Sequence, residues 1–136
     1  MQSKHLLADI PQKAILTQDG KVLLVMDLKG RWELPGGRLH IGEKPVEGLQ
    51  RELYEELGLE VHPKYILDTF VHVSSSGMPH YRVVFVCDSV TPFADMKLDP
   101  VEVSDSRWVG ADEFEDVVMD EGYKVALRKF FTQKEY

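Results

Sequence analysis

Cysteine is almost absent from this chain. Its one thiol, Cys87, sits inside the apolar run at 83–87, which excludes an intrachain disulfide. With no second cysteine or nearby histidine pattern it also argues against a thiolate metal centre, and the expectation is core packing. Positive charge is scarce: 16 Lys plus Arg face 23 Asp plus Glu, a formal net charge of −7. That balance argues against a broad basic face for gripping nucleic acid, and an anionic substrate would need a local cation. Long hydrophobic runs are missing too. VLLVM at 22–26 and VVFVC at 83–87 have the length of strands, far below the roughly 20 residues that cross a bilayer, so no transmembrane helix and no membrane partner are expected. The opening MQSKHLLADIP lacks an apolar stretch followed by a small-residue cleavage site, and the expected location is the cytoplasm. Repeats, low-complexity tracts and linker-like shifts are lacking as well, so the 136 residues, 43% hydrophobic, are expected to form one domain, 1–136.

What is present has a clear order. Residues 13–18 and 21–27 are β-prone and joined by Asp19-Gly20, a hairpin signal. Lys29-Gly30 marks a turn, and Pro35-Gly36-Gly37 reads as a loop or tight bend that lets backbone approach something closely. From Pro45 the period changes. Val46, Leu49, Leu53 and Leu57 mark one apolar helix face, with Pro45 in the first turn and Gly58 at the stop. Strands are expected over 65–73 and 80–88 around a Ser-Ser-Ser-Gly-Met-Pro turn, and a shorter one at Arg107-Trp108-Val109. A last amphipathic helix spans 122–133, with Val125, Leu127, Phe130 and Phe131 on its apolar side.

The stretch RELYEELGL crowds Glu52, Glu55 and Glu56 into the last turns of the first helix, where the macrodipole already places negative charge. At ~100° per residue the three fall within an arc of about 100° beside the leucine stripe. Carboxylates gathered there repel one another unless a cation neutralises them, and a hard divalent ion with oxygen ligands meets that need. A solvated acidic face is the plain alternative.

The flanking residues decide between the two. Gly37, Glu43, Arg51-Glu52-Leu53, Glu55-Glu56 and Gly58-Leu59 together resemble the Nudix hydrolase signature G-x5-E-x7-R-E-U-x-E-E-x-G-U, where U is a bulky aliphatic residue. All nine defined positions in residues 37–59 match it. The resemblance implies an α/β fold of α+β type, the three-layer α/β/α Nudix sandwich with a mixed central sheet. It also implies hydrolysis of a nucleoside diphosphate linked to another moiety, with Mg²⁺ or Mn²⁺ as cofactor. By the same resemblance Glu52 and Glu56 would hold metal directly, Glu55 directly or through water, and the Gly36 carbonyl would join them. Glu43 and Arg51 would orient the helix, Arg51 having a pairing with Glu47 as its alternative.

Arg38 is a candidate phosphate contact, with a plain surface charge as the alternative. Basic residues frequent in the family at the end of the second strand are replaced here by Val25-Met26-Asp27. A general base is expected outside the box at Glu102, with Asp99 and Asp105 as rivals on the same loop. Strand alternation turns attention to His72, His80 and Arg82 as cleft residues, while the five histidines show no metal-ligand spacing. Trp32 and Tyr81 could stack on a base or belong to the core. Subfamily markers for ADP-ribose, dinucleoside polyphosphate and coenzyme A substrates are not found. The leading expectation is therefore a small nucleoside di- or triphosphate pyrophosphohydrolase, with a nucleotide-sugar or ADP-ribose hydrolase, or a non-catalytic nucleotide sensor, as alternatives. A small-molecule nucleotide is the expected partner, and a homodimer is left open.

Overall fold

Asp19 and Gly20 both adopt positive φ, 52° and 76°, the pairing that a tight two-residue hairpin requires. They join strands β2 (Thr17–Gln18) and β3 (Lys21–Met26), which follow β1 (Pro11–Ile15) after a break at Leu16. The computed structural model describes residues 4–133. Beyond β3 the chain forms β4 (Trp32–Glu33), β5 (Gly36–Arg38), α1 (Pro45–Leu57), β6 (Val61–Val73), β7 (Pro79–Ser89), β8 (Asp105–Val109) and α2 (Glu121–Thr132).

The strands make two four-stranded sheets. One has the order β5-β1-β7-β6, and it is mixed because β1 and β7 run parallel while its other pairs are antiparallel. In the other, β3 pairs antiparallel with β2, β4 and β8. Alternation along the strands sends side chains to opposite layers. Val83, Phe85 and Cys87 of β7 pack with Ala14, Leu23 and Val25 against Leu49, Leu53 and Leu57 of α1. Val84 and Val86 pack with Ile15, Val22 and Leu24 against Tyr123, Ala126 and Leu127 of α2. The strands thus lie between two helices, the three layers that the resemblance implies, and buried Cys87 is a packing residue whose thiol burial pushes up to about 12.

Three details differ from the sequence reading. Pro35-Gly36-Gly37 does not stay irregular: Gly36–Arg38 pairs with β1, with Lys13 opposite Gly36 and Gln12 opposite Gly37. Glycine is what permits this strand, since Gly36 has φ 142° and a Cβ there would overlap the Gln12 carbonyl oxygen. Val46 and Val125 are exposed, because the buried faces of their helices centre on Gly48, Leu49, Leu53 and Leu57 and on Tyr123, Ala126 and Leu127. β6 also begins at Val61, four residues before the expected start. It continues through Pro63 because two register shifts in its pairing with β7 absorb the irregularity.

Gly36→Ala is expected to lower stability by about 3 kcal/mol, because the side chain meets both a positive φ and the β1 backbone. Urea unfolding measures it; a midpoint equal to that of the parent would mean that β5 parts from β1 at no cost.

Candidate metal centre

Lys44 leads into α1 without a side-chain cap, and Pro45 fills the first turn, where its missing N–H costs nothing. At the other end Gly58 takes φ 66°, and its N–H donates to the Tyr54 carbonyl at 2.9 Å. Two more carbonyls of the last turn are capped from a distant loop: Lys97 N–H donates to Leu57 O and Asp99 N–H to Glu56 O, both at 2.9 Å. The loop that satisfies the helix end is the one that carries Glu102. It folds back on itself, with Glu102 and Val103 N–H donating to Asp99 O at 3.0 and 2.9 Å, and Val101 N–H to Asp99 Oδ1 at 3.0 Å.

Glu52, Glu56 and Glu102 consequently converge. One carboxylate oxygen from each lies within 4.8 Å of the other two, and among the described residues these form the group able to hold a metal ion. Glu52 rests on the β5 backbone, in space that a Cβ on Gly37 would occupy. Glu56 is 4% exposed, and its Oε1 has no hydrogen-bond partner among the described residues. Burial pushes its carboxyl up to about 8; Lys13 pulls the other way, and Glu33, Glu102 and Glu52 add to the rise. Desolvation therefore outweighs the mutual repulsion expected from the sequence. Glu102 is raised for the same leading reason, with Glu52, Asp99 and Glu55 contributing. A buried orphan oxygen inside an all-carboxylate donor set fits a hard divalent cation.

Arg51 braces this group. Its Nε and Nη2 donate to Glu43 Oε2 and Oε1 at 2.6 and 3.0 Å, Nη1 donates to Glu52 at 3.0 Å and to Glu55 at 3.1 Å, and Nη2 also donates to Arg38 O at 3.3 Å. All five N–H groups are spent, and none goes to Glu47. Glu43 in turn accepts from His40 N–H at 2.7 Å, and the Arg51 bonds with this one hold its carboxyl down at about 2. Glu55 sits at the exposed rim on Arg51, outside the trio. Asp105 lies on β8 and accepts from Ser106 N–H at 2.8 Å, also apart from it.

The expected substrate contacts are more scattered. Arg38 is 70% exposed and pairs with Asp9 at 3.0 Å. Trp32 is half-buried at the edge of the α2-side core, with the Arg107 guanidinium 5.5 Å from its ring centroid. Arg82 lies over the Tyr123 ring at 4.6 Å, with Nη1 3.1 Å from Asp120 Oδ1. His80 bonds Asp9, His72 lies 3.5 Å from Asp120, and the two rings stack across the β6–β7 pair. Tyr81 is partly exposed, and its backbone N–H donates to Asp9 O at 2.8 Å.

Sequence reasoning missed Lys13. It is buried on β1 and reaches across the space between the sheets to Glu33 Oε1 at 3.4 Å. Burial pulls its ammonium down, but Tyr123, Glu33 and Glu56 more than offset this and hold it above its ordinary value. A lysine inside an otherwise β-prone run was the available signal.

A family model described as NUDIX domain matches residues 13–132. The chain is 40% identical over 75 residues to the Homo sapiens 8-oxo-dGDP phosphatase NUDT18, covering 52% of this chain and 22% of that protein. It is 49% identical over 43 residues to the Proteus vulgaris 8-oxo-dGTP diphosphatase, covering 32% and 38%. The matches thus span well under half the length of these relatives. A NUDIX hydrolase structure from Nitrosomonas europaea superposes with TM-score 0.81 over 96% of this chain and 93% of its own, at 23% identity, a likeness of fold.

The raised Glu56 carboxyl sets a sign for the metal-free protein. The folded state holds this proton more tightly than the unfolded chain does, so its contribution is present below the ordinary value of 4.5 and is lost as pH rises toward about 8. Melting temperatures in chelator should fall over that window, and Glu56→Gln should flatten the fall. Parallel curves for parent and variant would show that Glu56 ionises in the folded state without cost.

Proposed function

The chain belongs to the NUDIX domain family, whose model takes in residues 13–132, and we propose that it hydrolyses a phosphoric anhydride bond of a nucleoside di- or triphosphate derivative. The observation that carries this reading is the convergence of Glu52, Glu56 and Glu102 around a buried oxygen without a protein partner. The names of the relatives, 8-oxo-dGDP phosphatase and 8-oxo-dGTP diphosphatase, favour nucleoside di- and triphosphates over nucleotide sugars. The reading takes the chain as one domain acting on a small molecule. No described helix is long and apolar enough to cross a membrane, which suits a cytoplasmic enzyme.

In this reading Glu52 and Glu56 would hold Mg²⁺ or Mn²⁺ with the Gly36 carbonyl, and Glu55, outside the trio on Arg51, would reach it only through water. When bound there, such a cation would screen the anhydride oxygens and stabilise charge on the leaving phosphate. The rest belongs to the protein. Glu102 takes a proton from the attacking water onto its carboxylate as the new P–O bond forms and the bridging P–O bond breaks, its electron pair leaving with the departing group. Arg51 and Glu43 keep Glu52 aimed inward, and Arg38, Trp32 and Arg82 serve the substrate's outer parts.

A panel of dNTPs, nucleoside diphosphate sugars, ADP-ribose and dinucleoside polyphosphates, assayed for product release with Mg²⁺ or Mn²⁺, tests the activity. Nucleotide binding without turnover across the panel would point to a sensor instead. Glu56→Gln should lower turnover by about 10²-fold or more, beyond the 10–100-fold typical of losing a group that only supports a ligand. Turnover near the parent's at saturating metal would remove Glu56 from the metal site.

Glu102→Gln should cost about 10²–10⁴-fold at neutral pH and recover in part at high pH, where hydroxide replaces the lost base, while metal affinity changes much less than for Glu56→Gln. A larger loss in Asp99→Asn or Asp105→Asn, with Glu102→Gln nearly silent, would reassign the base.

A further inference from the structure

A pyrophosphate brings several negative oxygens into a site already built from carboxylates, so the protein's own cations there need accounting for. Arg51 has no donor left: its five N–H groups are engaged by Glu43, Glu52, Glu55 and the Arg38 carbonyl. Arg38 points outward to Asp9. The end of β3 offers Asp27, which is itself tied to Arg31 and to the Lys29 N–H. Among the described residues Arg82 has two buried nitrogens without a hydrogen-bond partner, Nε and Nη1, but it sits toward α2, 3.1 Å from Asp120 Oδ1 and over the Tyr123 and Phe70 rings.

Lys13 is different. Among the described residues its ammonium donates to Glu33 alone, and at 3.4 Å that bond is long for a charged pair. Two of its three N–H groups are therefore unspent, on a side chain only 7% exposed, where an unmet donor is costly. Lys13 is also the opposite charge that acts most on Glu56. It stands across from Gly36 on β5, and Glu52 rests against the next residue of that strand, Gly37.

We propose that Lys13 is a substrate-binding residue, its ammonium receiving a non-bridging phosphoryl oxygen at the inner end of the site. The inference rests on the anhydride-hydrolase reading and gives that reading the local cation a chain of net charge −7 needs. Glu33 then has a defined part: it keeps the ammonium charged and aimed while the site is empty of anion, and it competes with the anion for the same donors.

The two residues predict opposite effects, which a merely structural pair would not. The probe is imidodiphosphate, whose P–N–P bridge resists cleavage, titrated calorimetrically in Mg²⁺. Lys13→Met should weaken its binding by about 10- to 100-fold, the worth of a charge-assisted hydrogen bond. Glu33→Gln, which keeps Lys13 but removes its competitor, should tighten binding severalfold. Unchanged binding in Lys13→Met, weaker binding in Glu33→Gln, or no binding by the parent would each overturn the proposal. If melting shows Lys13→Met unfolded, the sign in Glu33→Gln decides alone. Because the probe is not turned over, a parent that binds it yet releases no product from any nucleotide sinks the hydrolase reading and leaves the role of Lys13 independently judged.

Discussion

The guanidinium of Arg51 joins three pieces of chain at one point. It grips the Glu43 carboxylate with two N–H groups, holds Glu52 and Glu55 with two more, and takes the Arg38 carbonyl with the fifth. The loop before α1, the helix itself and the strand β5 are thereby fixed to one planar group. Arginine suits this because its donors form a rigid fork, and a lysine could serve only part of the set. The same contacts offset repulsion at the helix end by placing a cation beside the carboxylates that the dipole disfavours.

Once α1 is held, its C-terminal carbonyls determine where the remaining acid goes. The loop carrying Glu102 donates Lys97 and Asp99 N–H groups to Leu57 and Glu56 carbonyls, meeting an ordinary helix-capping need. Glu102 arrives beside Glu52 and Glu56 as a consequence. Val103, 3% exposed, anchors the far side of that loop in the α1-side core. Packing and capping thus build the acidic group, even though the group itself is unfavourable without a cation.

Glu56 bears most of that cost. It belongs to the buried face of α1, with Leu53 and Leu57 as neighbours on the helix, and its unpartnered Oε1 is desolvated without compensation from the protein. Stability alone would favour an apolar side chain there. Lys13, buried on the facing strand, limits the penalty, and Glu33 limits that of Lys13 in turn. The alternation of charges from Glu33 to Lys13 to Glu56 leaves the interior close to balanced while keeping one carboxylate oxygen and two ammonium protons unsatisfied.

The sequence by itself determined the parts that depend on local spacing. The leucine period, Pro45 and Gly58 define α1, and Glu52, Glu55 and Glu56 follow from its pitch. Asp19-Gly20 specifies a hairpin because few other pairs tolerate two positive φ angles, and the box spacing from Gly37 to Leu59 identifies the family. What remained for the tertiary structure was whatever depends on residues distant in the chain. Glu102 joins Glu52 and Glu56 through a capping contact more than 40 residues away, and nothing in its own loop separates it from Asp99 or Asp105. Gly36 forms a strand instead of a loop because β1 lies alongside it. Glu55, equal to Glu56 in sequence, is turned outward to Arg51 while Glu56 is buried, a difference of one residue's rotation that only the packed sheet can impose. Lys13 looks like any lysine in a strand until the second sheet brings Glu33 to it, since a buried charge is recognised by what surrounds it and those surroundings come from elsewhere in the chain.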